Sequence, residues 1–328
     1  MKRKRATPIS PTPSYMRRYA TAVLASEVLR DVARVLDASG IRVMPLKGVL
    51  FQLLLYPDPA QRALTDVDIL VPEQDFERAI VALVQAGFQP RGAGPGLIEC
   101  AFRAPRGLTV DLHRRLFGNG RYKLSTEALF RRAIRNDSLL GVPLYLAHPH
   151  DTAAHLIGKF VSDHERFEVQ PRLAELAQWV RHCAIDPVRL GRHLRACGMR
   201  RAGHYVLSRG AELLEDPFFR AALVVSPAGK LDRVYTRIAR VLMRDLRGTV
   251  LASLPAHLLN ASLAQGAMSA TLVVAHRLKH AWWTRRRGAH SGYWAPFFVP
   301  SRRQPHRSGA ASPRSASAAL ALGASPPH

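Results

Sequence analysis

Residues 64–72 read LTDVDILVP, an apolar run broken by two aspartates one residue apart. Side chains on a strand alternate between faces, so Asp66 and Asp68 share one side while Val67, Ile69 and Val71 occupy the other. Two carboxylates this close repel each other and are costly to bury. They need hydrogen-bond donors, solvent at a strand end, or a cation. A divalent metal meets that need most simply. The competing reading makes Asp66 a turn cap after Thr65 and leaves Asp68 solvated at a sheet edge, and the fragment alone leaves both open.

Upstream, apolar residues recur at helical spacing from about Tyr15 to Ser39 (Val23, Leu24, Val28, Val32, Val35, Leu36), and Gly40 stops the run. IRVMPLKG, 41–48, reads as a short buried strand ending at Gly48. A helix through VLFQLLLY and a proline-marked turn, PDPAQR, follow it. Downstream, EQDFERAIVALVQAGF places Phe76, Ile80, Leu83 and Val84 on one stripe and closes at Gly87, the pattern of an amphipathic helix covering a sheet. LIECAFRAPRGLTVDLHRRL then reads as two strands joined by the turn APRG. The second of them, Leu108 to His113, carries Asp111 and His113 on one face, opposite Val110 and Leu112. Beyond this the periodicity is helical, over about 149–162, 171–183, 187–197, 200–214, 228–247 and 255–280, with one more candidate strand at 142–147.

The chain has 328 residues, 47% of them hydrophobic, enough for two ordinary domains. Cys100, Cys183 and Cys197 are widely spaced, which excludes a disulfide framework and a cysteine-rich zinc site and fits a reducing, cytoplasmic setting. With 48 Lys and Arg against 24 Asp and Glu, the formal charge is +24, which favours anionic partners: nucleotides, nucleic acid or acidic lipid. Arginine far outnumbers lysine, a bias that base composition also produces, so the charge by itself does not establish nucleic-acid binding. No apolar run reaches the roughly 20 residues of a membrane span; the nearest, GAMSATLVVA at 266–275, reads as a core helix. The opening residues 1–14 and the tail 301–328 are expected to be disordered. They flank a strand-bearing domain over 15–147 and a helical one over 148–300.

A D-x-D strand, a covering helix and a later strand with one more inward aspartate suit the binding of two divalent ions, Mg²⁺ or Mn²⁺ rather than zinc. The ligands would be Asp66, Asp68 and Asp111. These segments in order, LKG, LYPDPAQRALTDVDILV, FERAIVALVQAGF and VDLHRRL, resemble the uncharacterised nucleotidyltransferases of the polymerase-beta-like superfamily over roughly residues 15–185. The resemblance implies an α/β (α+β) fold, a mixed sheet backed by helices and followed by a mainly helical C-terminal half. It also implies transfer of a nucleoside monophosphate from a nucleoside triphosphate to an acceptor: a small-molecule hydroxyl, a protein side chain or an RNA end.

One departure stands out. The superfamily usually carries Gly-Ser after the first strand, and this chain has Lys47-Gly48. Lys47 supplies charge to a triphosphate, and Gly48 permits close phosphate approach at a helix N-terminus. Without that resemblance Lys47 is a strand-end lysine. Arg62 either clamps a phosphate bidentately or pairs with Asp58 as a loop charge. His113 is expected to orient a metal ligand rather than act as a base. HPHDTAAH, 148–155, reads as a helix start, its histidine spacing matching no zinc pattern. HAWWTRRRGAH, 280–290, fits either a nucleic-acid or membrane-surface patch or a solvated helix end. The alternative to an enzyme is a nucleotidyltransferase-fold binding module without turnover. Relief of repulsion between Asp66 and Asp68 further implies that Asp68→Asn leaves the metal-free protein as stable or more so.

Overall fold

The computed structural model describes residues 12–91, 98–118, 121–162 and 169–225, with 229–230, 232–234 and 236–237 beyond them. All lie in one compact unit, Met1–Phe298. The sequence expectations for the opening arm up to residue 11, GAMSATLVVA, HAWWTRRRGAH, the 255–280 helix and the tail fall outside the described residues, while Pro13 and Ser14, expected in that arm, begin a helix.

Helix α1 (Pro13–Ala38) starts where Thr12 caps it, the hydroxyl accepting from Tyr15 N at 3.3 Å. It ends at Gly40, φ +69°, where Ile41 N donates to Leu36 O and Gly40 N to Asp37 O, both at 2.8 Å. Only a residue that tolerates the left-handed region closes a helix this way. Gly87, φ +89°, ends α3 (Phe76–Gln85) by the same pair of bonds. Between them the strand expected over 41–48 shrinks to β1 (Met44–Pro45), and α2 (Lys47–Leu55) begins earlier than the sequence suggested. Pro45 lacks an amide to extend the ladder, and Leu46 N turns to Asp68 O at 3.0 Å, starting the helix beside β2 (Asp66–Leu70). Lys47 and Gly48 therefore occupy the first turn of a helix rather than the end of a strand.

Three further strands complete the sheet: β3 (Gln89–Arg91), β4 (Glu99–Arg103) and β5 (Thr109–His113), in the order β1-β2-β5-β4-β3. All neighbours are antiparallel except β2 and β5, which run parallel at its centre. Short α4 (Thr126–Arg132) precedes a separate two-stranded ribbon, β6 (Ile134–Asn136) with β7 (Leu144–Leu146). Then come α5 (Pro149–Ser162), α6 (Val169–His182), α7 (Pro187–Ala196), α8 (Arg200–Leu213) and α9 (Pro217–Val225). No described helix is long and apolar enough to cross a membrane.

The period-2 pattern of β2 and β5 decides which way each face looks. Val67, Ile69, Val110 and Leu112 are fully buried in a core shared with α1 and α3. Leu70, on the aspartate face, instead joins a second core that unites Met44, Leu46, Leu50 and Phe51 with α5 to α9. The aspartates thus face the helical half. At its centre Gly158 of α5 lets Phe117 approach so closely that a Cβ there would lie 2.3 Å from the ring.

Candidate active site

The parallel pairing of β2 and β5 sets Asp68 opposite Asp111, and Asp66 opposite Thr109. Paired residues on neighbouring strands point to the same side, so all three carboxylates share one sheet face. Asp68 is 5% exposed on an interior strand, which removes the reading of it as a solvated sheet-edge residue. Its two oxygens are engaged separately. His113 Nε2 donates to Oδ1 at 2.9 Å, and Lys47 Nζ lies 3.4 Å from Oδ2. His113 in turn faces Glu99 through Nδ1, at 3.4 Å.

These neighbours divide the carboxylates. Burial pushes Asp68 up, but the His113 hydrogen bond and the Lys47 ammonium outweigh it and hold the group well below the usual carboxylate range. Asp111 moves the other way: burial, then the charge of Asp68, push it up to about 6 against an opposing effect of His113. Burial and Asp68 also raise Asp66, against a smaller opposing effect of Lys47. Negative charge on this face is therefore only partly compensated. The donor set, all carboxylate oxygens, is of the kind that suits Mg²⁺ or Mn²⁺. Among the described residues no three His, Cys, Asp or Glu groups are already arranged as a metal centre.

A cavity of about 430 Å³ opens beside β2, within the size range of small-molecule sites. Five of the six residues expected from the sequence to hold metal or phosphate line it: Lys47, Gly48, Arg62, Asp66 and Asp68. Asp111 does not. Arg62 is not paired with Asp58, which instead caps the 3-10 turn Pro59–Gln61 through Ala60 N (2.9 Å) and accepts from Tyr15 OH (3.2 Å). Arg62 Nε is held by Glu175 of α6 at 2.5 Å. A Cβ on Gly48 would meet Arg62 and Leu64 only at ordinary contact distance, 3.6 Å, so the protein itself does not require glycine there.

The opposite wall comes from the helical half and includes Lys159 of α5 and Arg172 of α6. One turn before Lys159 on the same helix sits His155, 6% exposed. Burial, then Lys47 and Lys159, drives it down to about 3, so it is a neutral imidazole at physiological pH. Sequence reading placed α5 but gave no indication of which face it turns to β2; the i, i+4 spacing of His155 and Lys159 was the available signal. Glu175 lies 113 residues from Arg62, and no local pattern announces it. HPHDTAAH does begin a helix, and Asp151 in its first turn is fully buried. It accepts two bonds from Arg132, at 2.8 and 2.9 Å, and one from His193, at 2.8 Å.

A mixed sheet that presents a D-x-D strand and a third aspartate in register beside it, next to a cavity with basic side chains on both walls, defines a protein of the nucleotidyltransferase class. The chain belongs to the uncharacterised nucleotidyltransferase family, whose sequence model matches residues 15–215. Among solved structures it is similar to an antigenic nucleotidyltransferase-like protein from Paracoccidioides brasiliensis. Identity is 15% and the TM-score 0.31, over 53% of this chain and 78% of that one. No curated protein matches it.

Proposed function

We propose that the protein is a metal-dependent nucleotidyltransferase that moves a nucleoside monophosphate from a nucleoside triphosphate to an acceptor hydroxyl. The register that sets Asp68 beside Asp111, with Asp66 on the same face, carries this reading. Asp66, Asp68 and Asp111 would hold Mg²⁺ or Mn²⁺, which supplies a more acidic acceptor hydroxyl and neutralises charge on the transferring phosphate. His113 keeps Asp68 ionised and oriented. Lys47, the Gly48 amide in the first turn of α2, and Arg62 positioned by Glu175 face the triphosphate from one side of the cavity; Lys159 and Arg172 face it from the other. The acceptor oxygen attacks the α-phosphorus, the bond to the bridging oxygen breaks, pyrophosphate leaves, and the hydroxyl proton passes to solvent. Free Cys100, Cys183 and Cys197 support a reducing, cytoplasmic setting for this chemistry.

The second reading, a binding module without turnover, is favoured by one observation: both oxygens of Asp68 are already engaged by the chain's own cation and imidazole. The two readings separate in one experiment. The purified protein with Mg²⁺ or Mn²⁺, α-labelled triphosphate and an extract from the source organism as the supply of acceptors is expected to transfer label, and Asp68→Asn to abolish transfer. Triphosphate that neither binds nor reacts, with wild type and variant alike, makes the binding module the better reading.

A further inference from the structure

Lys47 stands where two requirements compete. Its ammonium lies 3.4 Å from Asp68 Oδ2, at the end of a side chain only 26% exposed, while the other oxygen is taken by His113. The same ammonium acts on Asp66, and so serves both carboxylates of the D-x-D pair. A divalent ion bound to Asp68 must share an oxygen with this cation or replace it, and two cations on one carboxylate repel. Lys47 also lines the cavity that holds Arg62, Lys159 and Arg172 on its walls. Its flexible four-carbon stem allows the ammonium to swing from the carboxylate to an anion placed there.

We propose that Lys47 is the built-in counter-ion of the aspartate pair: it competes with the divalent cation for Asp68 and yields that oxygen when a polyphosphate enters the cavity and draws the ammonium away. The inference rests on the reading of the site as a metal-dependent nucleotidyltransferase. Its consequence is that metal and triphosphate each raise the other's affinity, by the same factor. Metal bound without nucleotide is disfavoured, and the site assembles only when both are present.

The test is Mn²⁺ binding to the full-length protein, followed by the electron paramagnetic resonance of the free ion, with and without an α,β-methylene triphosphate analogue. Wild type is expected to bind Mn²⁺ weakly alone and about tenfold more tightly with the analogue, within the usual range of such couplings. Lys47→Met is expected to bind Mn²⁺ alone about tenfold more tightly than wild type, and to gain less from the analogue. Lys47→Gln, which keeps a polar end, is expected to move the same way and serves where the methionine variant melts early. If both variants bind Mn²⁺ alone no better than wild type while Asp68→Asn binds none, the role of Lys47 is overturned and the metal site stands. Absence of Mn²⁺ binding by every form, with or without the analogue, overturns both.

Discussion

Removing the charge of Asp68 and removing that of Asp111 are expected to shift stability in opposite directions. Asp68 is favoured as an ion, by a hydrogen bond from His113 and an ammonium in a nearly dry setting. Its amide analogue keeps one oxygen to accept from His113 but loses the negative charge that both interactions depend on, at roughly 1.5 to 3 kcal/mol. Asp111, pushed up to about 6 by burial and by Asp68, is charged at neutral pH at some cost. Asp111→Asn removes that cost, roughly 1 kcal/mol after allowance for its partial exposure. Thermal melts of the metal-free protein at neutral pH check this: Asp68→Asn should melt several degrees lower than wild type and Asp111→Asn slightly higher. An order with Asp68→Asn on top would restore the expectation from sequence, where repulsion between Asp66 and Asp68 was the only visible interaction. The structure leads to the opposite expectation because the compensating groups come from elsewhere in the chain. Lys47 arrives on a different element, and the alternation that places His113 beside Asp111 does not show that its ring reaches across to Asp68.

At the scale of elements, the network around Asp151 ties α4, α5 and α7 through Arg132 and His193, and it gives the fold a pH dependence of definite sign. The hydrogen bond to Asp151, then the contact with Cys197, pushes His193 up to about 9, above its ordinary 6.5. A raised folded-state pKa gives stability that is complete below about 6.5 and lost as pH rises through about 9. Asp151 is pushed up by burial, but hydrogen bonds from His193 and Arg132 more than reverse this. Its share is present above the ordinary carboxylate value of 3.8 and lost as pH falls below it. His193→Gln, with Arg132 still holding Asp151, is expected to lower the melting temperature by about 5 °C at pH 6 and by much less at pH 9.5. An equal loss at both values would show that the imidazole serves as packing rather than as a charge. Of the helices in this network, α5 and α7 were legible because each carries full turns of apolar periodicity and a marked end, whereas the seven-residue α4 was not read from the sequence. Edge strands β3 and β6 were not: each is three residues long, largely exposed, and without the alternation that burial on one face imposes on β2 and β5. Helix α9 was likewise missed, falling between two helical stretches read from the sequence.

For the molecule as a whole, the strand-bearing and helical stretches depend on one another. Met44, Leu46, Leu50, Phe51 and Leu70 belong to the strand-bearing stretch, yet their packing partners include α5 to α9. All five are at most 4% exposed. Burial of a large apolar side chain contributes roughly 1.5 to 3 kcal/mol, so these five account for roughly 10 kcal/mol, comparable to the entire stability of a typical domain. The ion pair of Arg132 with Asp151 and that of Arg62 with Glu175 cross the same divide. A fragment ending at Ala147 is therefore expected to lose cooperative unfolding and bind a hydrophobic dye, even though it keeps all five strands of the sheet and every aspartate of the D-x-D site. The full chain should show a single cooperative transition for the sheet and helices α5 to α8, measured by native-state hydrogen exchange. A fragment that melts sharply on its own would mean that the face of β2 bearing Asp68 tolerates solvent, and the helical wall with Lys159 and Arg172 would then be an accessory to the site rather than part of its construction.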